Sequence, residues 1–230
     1  MNLELSAAML LTQIDEFDDA STNKRYARYL VNRHLQVCDV VEGVTIYTFY
    51  RTKVNNRAFF ALSEDLSKVI YYSELQRSNT RRFISRHIKT DYEAYTWKSK
   101  NLTIKDFSSK VFLQCAMKYV DNILFTDYVQ TTAGYMHWRK MAILAIQQYH
   151  YKVFAYAVDI LKERYICELS LNELTPYMFT ILRGCVLGRS IAFKDRGLCI
   201  VKQEIEHLLE KDVKITKVSI ENFLSIVPIR

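Results

Sequence analysis

Apolar and polar positions in this chain alternate with two different periods, and the change between them marks out its elements. In residues 3–17, LELSAAMLLTQIDEF, the apolar residues Leu3, Ala7, Leu10, Leu11 and Ile14 recur at three- and four-residue spacing, which predicts an amphipathic helix. Residues 15–22 turn acidic and polar. Asn23 is then the expected cap of a second helix, KRYARYLVNRHL. Tyr26, Leu30 and Val31 would share one face of it, and Lys24, Arg25, Arg28 and Arg33 another. From 36 to 75 the period drops to two. QVCDVV, VTIYTFY, RAFFALS and KVIYYSEL read as successive strands, joined at Glu42-Gly43, Asn55-Asn56 and Ser63-Glu64-Asp65. Links this short predict an antiparallel meander, because a parallel crossover needs a dozen residues or more.

Residues 77–89, RSNTRRFISRHIK, break the pattern with a basic cluster. Arg77, Arg81, Arg82, Arg86 and Lys89 could pair with phosphates, and Phe83 among them could stack on a base. The same composition also suits a solvated loop or a charged edge strand. DYEAYTW at 91–97 reads as another strand, and Lys98-Ser99-Lys100-Asn101 as a polar link. A helix is expected from about 104, with Ile104, Phe107, Val111, Cys115 and Ala116 on its apolar stripe and Thr103 with Asp106 as a capping box. The free N–H groups at such a helix start, fronted by Lys98, Ser99 and Lys100, would favour an anion.

Residues 120–159 carry the clearest unit. Asn122 to Phe125 predict a buried strand, Thr131 or Thr132 a helix cap, and Gly134 a close backbone approach in the first turn. Trp138, Ala142, Ala145 and Tyr149 fall on one helical face, with Met141, Leu144 and Gln148 beside it. His150-Tyr151-Lys152 should end the helix before the strand VFAYAVDI. Strand, helix and strand in this order predict a right-handed parallel crossover. Beyond 160, RYICELSL reads as a strand and NELTPYMFTIL as a helix with Pro176 near its start. SIAFK and LCIVK suggest a hairpin around Asp195-Arg196-Gly197, and QEIEHLLEKD a short helix. The tail from Lys214 is open to strand or helix.

Composition narrows this to a mixed fold, α/β with an α+β mixed sheet. Half of the 230 residues are hydrophobic, and only five glycines and two prolines are present, so a linker-rich or disordered chain is excluded. The net charge of +7 favours anionic partners, or simply keeps the protein soluble. The five cysteines, Cys38, Cys115, Cys167, Cys185 and Cys199, form no CxxC pair, which points away from zinc or a disulfide framework and toward a reducing cytoplasm. His137 has no second ligand at helical spacing on its face, so no metal is expected. The start of the chain lacks the pattern of a secretory signal, and no uncharged run approaches ~18 residues, so no membrane span is expected. Arg183-Gly184 to Gly188-Arg189 lacks the Gly-Lys-Ser/Thr of a P-loop.

The hydrophobic strand ILFTD ending in an acidic residue, then Gln130-Thr131, Gly134 and Trp138, then an apolar helix and a strand ending in Asp159, resembles the GNAT-fold acetyltransferase-like proteins of tailed bacteriophages. The order of elements from about 36 to 159 is similar too. The resemblance implies a GNAT-like core over 1–160 with a C-terminal extension, 161–230, packed on it as part of the same domain. It implies transfer of an acyl group from acetyl-CoA or another acyl-CoA to an amine, in the host cytoplasm. Lys98, Ser99, Lys100, Asn101 and Thr103 would face the cofactor, Glu93 would be the base, and Tyr128 or Tyr135 the acid that protonates the departing thiolate. Residues 98–106, KSKNLTIKD, depart from the family pattern, which has a glycine-rich loop there. That departure supports a second expectation: a GNAT-like module without catalysis that binds nucleic acid, a host protein or a virion protein through its basic surface.

Overall fold

A computed structural model describes residues 17–33, 35–51, 56–78, 90–120, 123–125, 132–159, 161, 163–186, 193–202 and 215–227. The expected helices at 3–17 (apart from Phe17) and 203–212 lie outside them, as do residues 79–89 of the basic segment. The chain is a mixed α/β protein that divides into two compact units, residues 1–77 with 93–116, and residues 78–92 with 117–230. No helix among the described residues is long and apolar enough to cross a membrane.

In the first unit helix α1 spans Ala20–Val31, and Asp19 is its N-cap, its Oδ2 accepting from the Thr22 N–H at 2.7 Å. The expected cap, Asn23, is corrected to a buried residue one turn inside. Its Nδ2 donates to the carbonyls of Phe17 and Val69, each at 3.0 Å, and its Oδ1 accepts from the Val69 N–H at 2.7 Å. An amide side chain has both donors and an acceptor, so it can saturate a strand end that an aspartate could only half satisfy.

The predicted meander is present. β1 (Gln36–Val41), β2 (Val44–Arg51), β3 (Asn56–Leu62) and β4 (Val69–Ser78) pair antiparallel in that order. Glu42 and Gly43 have φ of 50° and 79°, the double positive φ that a two-residue hairpin turn of this hand requires. The turn at 63–67 is tied by Asp65, which accepts from the hydroxyls of Ser63 and Ser67. Asn56 is not a turn residue but the buried first residue of β3. Adjacent strand residues point to opposite faces. Tyr72 accordingly joins Tyr26, Ala27 and Leu30 of α1, while Tyr71 meets Phe107 edge-on at 5.3 Å. Phe107 opens α2 (Phe107–Gln114), so the two helices cover opposite faces of the meander. Phe17 fixes the α1 side, its ring 5.1 Å from Tyr26, 5.4 Å from Tyr72 and 5.1 Å from Trp97.

Strand β5 (Thr90–Lys98) begins in the second unit, where Thr90–Tyr92 pair in parallel with β6 (Ile123–Phe125). From β6 the strand order in that unit is β6-β9-β7-β8-β10. These are β7 (Lys152–Asp159), β8 (Arg164–Leu169), β9 (Phe193–Val201) and β10 (Ile215–Lys217). Helix α3 (Thr132–Tyr149) links β6 to β7, α4 (Pro176–Val186) lies between β8 and β9, and α5 (Ile220–Ile226) follows β10. Val153 to Val158 of β7 are all buried, as a strand covered on both faces requires, and both α3 and α4 pack on it.

Two expectations are corrected here. β6 and β7 do run parallel, since each is antiparallel to β9, but β9 lies between them and the crossover spans one strand. The expected hairpin at Asp195-Arg196-Gly197 is one continuous strand, in register with β7 from Phe193 opposite Asp159 to Val201 opposite Lys152. Cross-strand pairing overrides the local turn signal, and Gly197 sits opposite the large Tyr156. The tail resolves into both alternatives, β10 and then α5 capped by Ser219.

Candidate functional site

The loop that precedes α2 is built from the end of β5. The Ser99 N–H donates to the Ile70 carbonyl at 2.9 Å, and the chain turns at once, with Leu102 N–H to Ser99 carbonyl at 3.0 Å. Lys98, Lys100, Asn101 and Thr103 are exposed and Ser99 is half-buried. The helix starts at Phe107 rather than near 104, so the Thr103–Asp106 capping box is corrected: Thr103 stays in the loop. Asp106 holds the N-cap position in the left-handed region, φ 55°, and its side chain makes no capping hydrogen bond. Two exposed lysines are the cationic groups of this loop's first turn.

The other expected residues are placed as follows. Glu93 lies in β5, with its side chain outside the described residues, and Tyr128 lies outside them altogether. Arg77 is in β4, its side chain also outside, as are Arg81, Arg82, Arg86 and Lys89. Of the crossover residues, Gln130 and Thr131 fall outside, while Gly134 lies in the first turn of α3 and Trp138, Met141, Ala142 and Ala145 are buried beneath that helix. His150, with φ 54°, ends α3, and the Tyr151 N–H reaches back to the Ala145 carbonyl at 2.9 Å.

Tyr135 is the one expected catalytic side chain that the structure places. It is 4 % exposed, one turn into α3. Its ring stacks on Phe179 of α4 at 4.3 Å and 21°, and the Arg183 guanidinium lies 5.1 Å from its centroid. Burial raises its hydroxyl above the ordinary tyrosine range, against the opposing charges of Arg183 and Arg139, so it stays protonated. Among the described residues the hydroxyl meets no hydrogen-bond acceptor.

Cysteine chemistry is disfavoured at three positions. Burial pushes Cys167 up to about 12 and raises Cys185 and Cys199, so these thiols stay protonated at neutral pH.

Sequence reasoning missed two clusters. In the first unit Glu74 is fully buried, its carboxylate accepting from Asn56 Nδ2 at 2.7 Å and from the Tyr72 hydroxyl at 2.5 Å. Strand alternation carried that signal, because Glu74 shares the inward face with Tyr72. In the second unit Arg139 and Arg183 flank Tyr135. No local pattern could have paired them, since α3 and α4 are separated by β7 and β8.

No protein-family model matches this sequence, and no curated protein is significantly similar to it.

Proposed function

We propose that this chain is a GNAT-like acyltransferase, moving an acyl group from an acyl-CoA thioester to an amine. One observation carries the proposal. In the second unit a short parallel pair, Thr90–Tyr92 with β6, is followed by a helix and by β7, with the later strand β9 inserted antiparallel between β6 and β7. That arrangement agrees with the order of elements the resemblance implies, and it includes β9, which the resemblance did not use. In this reading the cofactor phosphates meet the loop at Lys98–Thr103, Glu93 removes the amine proton, and a tyrosine protonates the leaving thiolate.

Calorimetric titration of acetyl-CoA tests it. Binding at micromolar strength should also raise the melting temperature, by mass action worth about 2.7 kcal/mol at a hundredfold excess over Kd. Lys98→Ala/Lys100→Ala should weaken it. No heat and no thermal shift at millimolar acetyl-CoA sinks this reading.

One feature favours a second reading, a GNAT-like module without a cofactor that binds nucleic acid. The loop before α2 has no glycine and sets Asp106 at the helix start, where its charge opposes a phosphate. A gel shift with DNA or RNA that weakens steeply with salt and disappears in Arg81→Ala/Arg82→Ala would support it.

A further inference from the structure

Helix α1 sorts its residues into two sides. Asn23, Tyr26, Ala27 and Leu30 are buried beneath it. Lys24, Arg25 and Arg28 are exposed on the other side, and Arg33, also exposed, lies just past its end. Lys24 and Arg28 stand one turn apart, about 6 Å along the axis. Like charges at this spacing repel and weaken a helix. Among the described residues none of the four cations is ion-paired. Asp18 and Asp19 lie before the first turn, and Asp19 is engaged in the helix cap. Asn23, beside Lys24, is bonded to both main-chain groups of Val69, and the Ser99 N–H donates to the carbonyl of the next residue, Ile70. The loop with the exposed Lys98 and Lys100 is therefore tied to the same strand end as α1.

The chemistry of this face is charge without apolar anchors. No exposed large apolar side chain lies on α1, whose apolar side is in the core, so it has nothing to insert into a lipid layer. Tyr29 is half-buried, and the Arg33 guanidinium lies 4.5 Å from its ring centroid, so the ring is covered and not offered to a base. Protein partners are held mainly by buried aromatic and apolar anchors, whereas a nucleic-acid backbone is held by cations paired with phosphates. Three of the four cations are arginine, whose planar fork fits phosphate oxygens. We propose that Lys24, Arg25, Arg28 and Arg33 of this face bind the phosphate backbone of a nucleic acid without reading its bases. The inference rests on the second reading, nucleic-acid binding, and gives it a surface outside residues 79–89.

A labelled DNA duplex of roughly 20 base pairs is the probe, titrated with the full chain between about 50 and 200 mM salt and followed by fluorescence anisotropy. Saturable binding is expected, equal for AT-rich and GC-rich duplexes. Lys24→Gln/Arg28→Gln should weaken it roughly tenfold or more at the lower salt and flatten the slope of log K against log salt by about 1.8, since each lost phosphate contact removes about 0.9. Both positions are exposed and glutamine is a good helix former, so this variant should melt as the parent does. Should it fail to fold, Arg25→Gln/Arg33→Gln carries the same expectation. The proposal is overturned by no saturable binding up to roughly 0.1 mM protein at the lower salt. Unchanged affinity and slope in the folded variant overturn it too, as does a preference of roughly tenfold or more for one duplex sequence. Phosphatidylserine vesicles or polyglutamate that displace the duplex at equal charge concentration would make the partner a lipid surface or an acidic protein instead. If Arg81→Ala/Arg82→Ala abolishes binding while Lys24→Gln/Arg28→Gln leaves it intact, this surface is wrong and the second reading stands. If neither DNA nor RNA binds, both fall.

Discussion

Asn23 and Tyr135 are both polar side chains buried on helices, one in each unit, and they differ in what surrounds their polar atoms. Asn23 faces the first residue of β4 and spends both of its amide protons and its oxygen on main-chain groups. Tyr135 faces Phe179 and Arg183, and its hydroxyl meets no acceptor among the described residues. The difference separates two uses of a buried polar group. One that its own chain saturates fixes a helix to a strand. One left unpaired costs about 1–3 kcal/mol and is recovered only when something else supplies the partner. Glu74 falls between the two, since its carboxylate is bonded by Asn56 and Tyr72 while Asn56 Oδ1 finds no partner among the described residues.

If α3 is held by its apolar face and not by Tyr135, the largest effect falls on Trp138, 3 % exposed on that helix. Trp138→Ala should lower unfolding stability by ~3–5 kcal/mol, through lost burial and the cavity left behind. Urea denaturation measures it. A loss near 1 kcal/mol would mean that α3 is anchored elsewhere.

Asn23→Ala comes next, at about 2–4 kcal/mol, because it strands the Val69 N–H and two carbonyls in a dry place. Asn23→Asp should be nearly as costly, since a carboxylate cannot donate to the Phe17 and Val69 carbonyls. If denaturant midpoints show Asn23→Asp to be neutral, the donor half of the node is idle and the contrast with Tyr135 collapses. Opposite in sign and smaller, Tyr135→Phe should gain about 1 kcal/mol, as read from its denaturant midpoint.

The first unit was far more legible in the sequence than the second. Its strands alternate locally, its turns are short, and Gly43 sits where a positive φ is needed. Asn23 was misjudged because a residue of cap type after an acidic run looks like a helix start, whereas Asp19 lies early enough to take the cap and Asn23 then falls on the buried face. The start of α2 was misjudged for a similar reason, as nothing local shows that Asp106 turns left-handed. In the second unit the errors are long-range. Asp195-Arg196-Gly197 reads as a turn until β7 is laid beside it, and the gap between β6 and β7 exists only because β9 fills it. Tyr135 was singled out for its type and place, but its surroundings come from α4. In the loop before α2, residue types were legible and geometry was not.

The smallest expected effect concerns the cap that positions Asn23. The hydrogen bonds from Ser21 and Thr22 hold Asp19 at about 2, below its ordinary 3.8. A carboxylate with a depressed folded value contributes stability that is fully present above 3.8 and is lost as pH falls through about 2. Asp19→Asn keeps a good cap residue but cannot titrate. The parent should therefore melt slightly above Asp19→Asn at pH 7, and the gap should close on acidification toward pH ~2. Asp65 behaves in the same sense, held at about 2 by Ser63 and Ser67 in a solvated turn. Asp65→Asn is thus the control that separates a turn from a helix cap. If the Asp19→Asn gap is unchanged between the two pH values, the carboxylate is not the acceptor of the Thr22 N–H. The register that turns Asn23 toward β4 would then rest on packing of Tyr26, Ala27 and Leu30 alone.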